Sequence, residues 1–175
     1  MKPVRLAWRV LLLGSFLVLG APRTVSAQMR SPQILTLGGG VSRYSLGGDR
    51  GTTWVIVARF DGAAGPYVVI EPGFAYMHFK GQFGSRNYLL PEISIQGQGY
   101  LGPVRPFIGG GIGFANISTG PSQSQLALHA VAGIRVRLAS MWGIRMEARA
   151  RAVDPWQSHT YDFTAGIMRV IPAAF

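Results

Sequence analysis

A chain of 175 residues with 24 glycines and only 14% charged side chains has room for one domain and one sizeable core. The absence of cysteine excludes disulfide staples, thiolate metal sites, a cysteine nucleophile and a lipid-bearing N-terminal cysteine. A formal charge of +10 raises nucleic acid as a partner, but the arginines alternate with apolar residues along strand-like segments. They form no basic helix face and are not interleaved with stacking aromatics, so no nucleic-acid partner is expected.

The first segment stands apart. Lys2, Arg5 and Arg9 precede an apolar run from Val10 to Leu19, and Val25-Ser26-Ala27 forms a small-residue cleavage site. The run is about a dozen residues long, where a spanning helix takes about 20. Residues 1–27 are therefore expected to be a cleaved secretory signal peptide, leaving a mature domain over 28–175. Removing them takes away one lysine, three arginines and no acid, which lowers the formal charge from +10 to +6.

From Ile34 onward the pattern has period two, in segments of roughly ten residues broken by glycine, proline, aspartate, asparagine and serine. It predicts strands near 34–45, 52–61, 67–79, 88–101, 104–117, 126–138, 142–151 and 159–171. Each is about long enough to cross a bilayer at a tilt, which takes roughly 9–11 residues. The sixth is clearest, with Leu126, Leu128, Ala130, Ala132, Ile134, Val136 and Leu138 on one face and His129, Arg135 and Arg137 on the other. The seventh repeats this, Trp142, Ile144, Met146, Ala148 and Ala150 opposing Arg145, Glu147, Arg149 and Arg151. The fold class is thus all-β, a single antiparallel up-and-down transmembrane β-barrel of about eight strands. Turns at 102–103 and 139–141 are tight, while 80–87 and 118–124 read as longer polar loops of the kind that face outward.

Magnitude sets the faces. Arginine on the lipid side costs about 2–4 kcal/mol at mid-bilayer, so Arg145, Arg149 and Arg151 are expected inside. Aromatics near strand ends, Tyr44, Trp54, Phe60, Tyr76, Tyr100, Trp142 and Tyr161, suit the two interfacial girdles. Counting from the turns, Glu71 and Glu147 fall level with Arg145, Arg149 and Arg135, and Glu92, Arg151 and Asp162 form a second level above. Arg135 should lie almost opposite Arg145, a repulsive pair unless acids reach it. An eight-stranded barrel is just wide enough for side chains to fill, so a wide pore is not expected.

The terminal Phe175, with Tyr161, Phe163, Ala165, Ile167 and Ile171 on one parity, resembles the C-terminal signature of outer-membrane barrels. The strand Arg105-Pro106-Phe107-Ile108-Gly109-Gly110-Gly111-Ile112-Gly113-Phe114 is similar to the glycine-rich strand of small barrels. Together they resemble the OmpA-like/OmpX-like eight-stranded family over roughly Ile34 to Phe175. The resemblance implies residence in the cell outer membrane after export, contact with outer-membrane lipid, recognition by the barrel-assembly machinery through the C-terminal strand, and a monomeric state. Two features depart from it. No peptidoglycan-binding domain follows the barrel within the chain, and Arg169 falls on the outward parity, which requires snorkelling at the rim or a slipped register.

No phosphate-cradling, nucleophile-elbow or metalloprotease motif occurs, and the glycine run 109–113 sits within a strand, where close backbone approach or a bend explains it. The histidines His78, His129 and His159 fall on different strands, with no metal-ligand spacing, and no cofactor is expected. The expected function is structural or surface-interacting, without enzyme activity. One alternative is a lipid A deacylase or acyltransferase, since some small outer-membrane barrels have that activity. Its best residues are Ser158, His159 and Asp162, but adjacent Ser158 and His159 point to opposite faces of a regular strand. Another is a soluble ligand-binding barrel, which would place the charged face outside. Arg50, Lys80 and Arg86 are placed in outer loops, where they could meet lipopolysaccharide phosphates.

Overall fold

In a computed structural model of the chain, the described residues are 33–46, 48–81, 84–118, 123–154 and 158–171. The expected signal segment 1–27 and the terminal Phe175 lie outside them. The described residues form eight strands: β1 (Gln33–Leu46), β2 (Asp49–Ala63), β3 (Val68–Gly81), β4 (Gly84–Gln98), β5 (Val104–Ser118), β6 (Gln123–Arg137), β7 (Trp142–Val153) and β8 (Ser158–Ile171). Each pairs antiparallel with the next, and β8 pairs with β1, closing a barrel in sequence order. Closure leaves no unpaired edge for another chain to extend.

The pleat sends alternate residues inward and outward. Inside lie Arg59 and Asp61 of β2, Glu71 of β3, Glu92 of β4, Arg135 of β6 and Arg145, Glu147, Arg149 and Arg151 of β7, all buried. Outside lie Leu37, Ile56, Ile93, Ile108, Phe114, Met146 and Phe163; Ile108 is 71% exposed and Phe163 62%. A continuous apolar exterior around a charged interior inverts a water-soluble protein and matches hydrocarbon as the solvent. On the outward parity of the described strands the only lysine or arginine residues are Arg43, Arg50 and Lys80 at one end and Arg169 at the other. We call the end carrying Gln33 and Ile171 the terminal end and its opposite the far end.

Aromatic residues mark both boundaries. At the terminal end Tyr67 packs edge-on against Tyr100 with centroids 5.8 Å apart, and at the far end Trp54 packs on Tyr76 at 5.6 Å. Tyr44 belongs to neither girdle: it faces inward and is buried against Phe79, centroids 4.4 Å apart. Arg169 keeps the regular register, opposite Trp142 and Leu35, and rests its guanidinium 5.4 Å from the Trp142 ring centroid. It is held at the rim by a cation–π contact, and the strand does not slip.

The strands, at 12 to 15 residues, are longer than the sequence pattern suggests: 80–81 and 84–87 of the expected loop 80–87 are strand, as are 118 and 123–124 of the expected loop 118–124. Ser85, Arg86 and Asn87 continue the ladder opposite Lys80, Phe79 and His78. Polarity there marks departure from lipid and not the end of pairing. β4 conversely stops at Gln98, and Gly102 takes a left-handed φ of 61° in the turn before β5. The β2–β3 ladder has no partners at Phe60 and Asp61, where Pro72 would stand opposite, and the β4–β5 ladder skips Leu90 and Pro91. Register is the same on both sides of each gap, as expected when a proline removes one donor without inserting a residue.

Candidate functional site

The lumen is divided along its length. Toward the far end it holds an apolar cluster of Tyr44, Leu46, Val55, Val57, Ala75, Met77, Phe79, Tyr88, Leu90, Ala115, Ala127 and Val153. Below it stand five buried arginines and five buried acids. This corrects the expectation of a lumen filled by charged and polar groups: the charged network occupies the middle and the terminal half, an apolar cluster lies toward the far end, and Asp49 and Arg86 form a separate pair at the far mouth.

The geometry near the terminal end answers the repulsion between Arg135 and Arg145, which are direct cross-strand partners. Asp61 bridges them, its carboxylate 2.9 Å from Arg135 Nε and 3.2 Å from Arg145 Nη1. Glu71 also ion-pairs with Arg145, and lies 3.5 Å from Arg135 Nη2. Both guanidinium groups rest on the Phe107 ring, 4.0 and 4.7 Å from its centroid. Phe107 fits because its cross-strand partner is Gly133, where a Cβ would come within 2.6 Å of the ring and 2.3 Å of the Met146 carbonyl oxygen.

In the middle, Arg149 donates to Glu71 at 2.9 Å and to Glu92 at 2.8 Å, joining the two levels expected from the sequence into one network. Arg59 lies at its centre, 2.9 Å from Glu92, 3.5 Å from Glu147 and 3.7 Å from Glu71, and donates to the Phe74 carbonyl at 2.9 Å. Glu147 takes Arg145 at 2.5 Å and Arg149 at 3.3 Å. Above, Arg151 binds Glu92 through two nitrogens at 3.0 Å and pairs with Asp162, which accepts a bond from Ser42 at 2.6 Å. Glycines on the inward face of β5 give this layer its room. A Cβ at Gly111 would stand 2.8 Å from the His129 ring, and one at Gly113 would stand 2.9 Å from Glu92 Cβ.

Each predicted lumen residue, Glu71, Glu92, Arg135, Arg145, Glu147, Arg149, Arg151 and Asp162, thus sits in this network. Sequence reasoning missed Arg59 and Asp61. Both share the inward parity of Val55 and Val57, and that alternation was the available signal.

The three cations assigned to loops separate. Arg50 and Lys80 are exposed on the outward parity at the far end. Arg86 turns inward at the far mouth, its Nη1 3.7 Å from Asp49, so lipid contact cannot rest on it. Of the hydrolase candidates, Ser158 is buried on the inward face and Asp162 is committed to Arg151, while His159 points outward against Tyr161. A different set has the atom order of a catalytic chain: Ser94 Oγ is 2.7 Å from His129 Nε2, and His129 Nδ1 is 3.5 Å from Glu92. All three are buried, Glu92 already holds three arginines, and no substrate carbonyl can reach Ser94. Among the described residues no cluster of histidine and acidic side chains is placed to hold a metal ion.

No protein-family model and no curated protein sequence matches the chain. Solved structures do. Neisserial surface protein A, NspA, superposes with a TM-score of 0.68 at 11% identity, over 78% of this chain and 96% of that one. Ail of Yersinia pestis, solved with the heparin analogue sucrose octasulfate, gives 0.53 at 16% identity over 80% and 99%. The outer membrane enzyme PagL gives 0.52 at 16% identity over 78% and 99%. The chain therefore has the fold of the small eight-stranded outer-membrane barrels, and its apolar exterior makes it a transmembrane one. At these identities the likeness speaks for the fold alone. Since one neighbour is an enzyme, the fold does not decide activity.

Proposed function

We propose that the protein is a closed, monomeric outer-membrane barrel with a structural or surface-interacting role and no catalytic site, delivered by cleavage of segment 1–27 and inserted through recognition of its C-terminal strand. The observation that carries this reading is the network of five arginines and five acids spanning the lumen, capped by an apolar cluster. An eight-stranded barrel has space for side chains and little else, and here that space is taken by ten charged groups from β2, β3, β4, β6, β7 and β8 paired across the lumen. The four far-end connections, two residues long at 47–48 and 82–83 and four at 119–122 and 154–157, leave little loop with which to grasp a large ligand, so any surface role falls to the rim and the outer wall.

Reconstitution into planar bilayers tests the closed lumen. The parent barrel should show no steady single-channel conductance in molar potassium chloride. Stable channels of uniform conductance would contradict a lumen closed by ion pairs.

A further inference from the structure

Outward charge at the far end is confined to one arc. β4, β5 and β6 present Asn87, Asn116 and Ser124 there, and Ser124 donates to Asn116 at 2.6 Å. The neighbouring arc carries Arg43, Arg50, Lys80 and His159. Of the seven acids, Asp61, Glu71, Glu92, Glu147 and Asp162 are committed to the lumen, Asp49 faces inward beside Arg86, and Asp154 follows the end of β7 next to β8, so Arg43, Arg50 and Lys80 outnumber the acid on this side.

Strand register turns part of this arc into a defined constellation. Ser45 of β1 stands between Arg50 of β2 and His159 of β8, and Arg43 stands one outward step below, between Thr52 and Tyr161. Directly opposed residues have Cβ atoms about 4.5–5.5 Å apart and diagonal ones about 7–8 Å, so both guanidinium groups can reach one anion. The six residues line an open groove of roughly 520 Å³. The next row down is Trp54, Val41 and Phe163, all exposed and apolar. Cations and hydroxyls stand directly above hydrocarbon-facing side chains, at the depth where a lipid changes from acyl chain to head group.

We propose that this groove on β8, β1 and β2 binds the phosphate of an anionic lipid in the surrounding leaflet, with the lipid's acyl chains against the Trp54, Val41 and Phe163 row. Arg43 and Arg50 supply charge-assisted bonds to the phosphate oxygens, and Ser45, Thr52 and Tyr161 supply hydroxyl donors. The proposal rests on the transmembrane reading above, because only a membrane-spanning wall sets this row at a head-group level.

Native mass spectrometry of the full mature barrel in a non-ionic detergent tests it, with bis-phosphorylated lipid A, its dephosphorylated form and inorganic phosphate as probes. The parent should retain the phosphorylated lipid. The Arg43→Ala/Arg50→Ala double variant should bind it at least about tenfold more weakly, since two charged donors are lost. Arg43→Lys/Arg50→Lys should fall between, keeping charge without bidentate geometry, and Arg169→Ala at the opposite rim should match the parent. Equal binding of the dephosphorylated lipid, parent-like binding by the alanine double variant, or equally strong occupancy by inorganic phosphate would overturn the proposal. The gel shift between unheated and boiled samples is read in parallel. A variant that keeps the shift and loses the lipid supports the site, and a parent that keeps the shift and binds no lipid refutes the site while leaving the barrel reading intact.

Discussion

Glu71→Ala should lower the stability of the detergent-folded barrel by about 3–5 kcal/mol, the cost of leaving buried charges uncompensated. Glu71 stands among four arginines. It takes Arg145 and Arg149, lies 3.5 Å from Arg135 Nη2 and 3.7 Å from Arg59 Nε. Without it Arg135 keeps only Asp61 as an acidic partner, and Arg145 keeps Asp61 and Glu147. Water cannot relieve the loss from the far end, where the apolar cluster closes the lumen. Glu147→Ala should act in the same direction with a smaller shift, because Arg145 and Arg149 keep Glu71. Urea unfolding followed by tryptophan fluorescence measures both; parent midpoints in the two variants would show that the network contributes nothing.

The second large effect is expected on the opposite face of the same sheet. Ala132 of β6 is exposed, lies between Ile108 of β5 and Ala148 of β7, and has no charged residue on its row. Ala132→Arg should destabilise the barrel in bilayers by about 2–4 kcal/mol, the penalty for a guanidinium near mid-membrane, whereas Ala132→Leu should be close to neutral. Equal stability of the two variants in lipid would mean that this face does not meet hydrocarbon.

How far the sequence reveals this arrangement depends on what fills the lumen at each height. On β7 the inward residues from Arg145 to Arg151 are charged and the outward ones apolar, and on β6 a wholly apolar run from Leu126 to Val136 faces out while His129, Arg135 and Arg137 stand among Ala127, Val131 and Gly133 on the inward parity, so period two is legible and both the fold and most of the network follow. On β2 the inward residues Val55 and Val57 belong to the apolar cluster while Trp54 and Ile56 face lipid. Apolar surroundings on both sides erase the alternation, and Arg59 and Asp61 emerge only when parity is carried across that stretch. The same ambiguity hid Tyr44, an aromatic near a strand end that faces the lumen. Loop length was misread for another reason: Ser85, Arg86 and Asn87 are polar because they stand beyond the lipid, and strand pairing has no need of apolar side chains there. The rim groove was half visible, through Arg50. Its remaining members lie on β1 and β8, and only register brings together residues more than a hundred positions apart in the chain.

The central claim, a closed barrel that crosses the outer membrane, is tested most directly by fractionating cells that express the full chain and comparing unheated with boiled samples on gels. The protein is expected in the outer-membrane fraction, with the unheated form migrating differently from the boiled one. Recovery in the soluble periplasmic fraction, or identical migration before and after boiling, would contradict it.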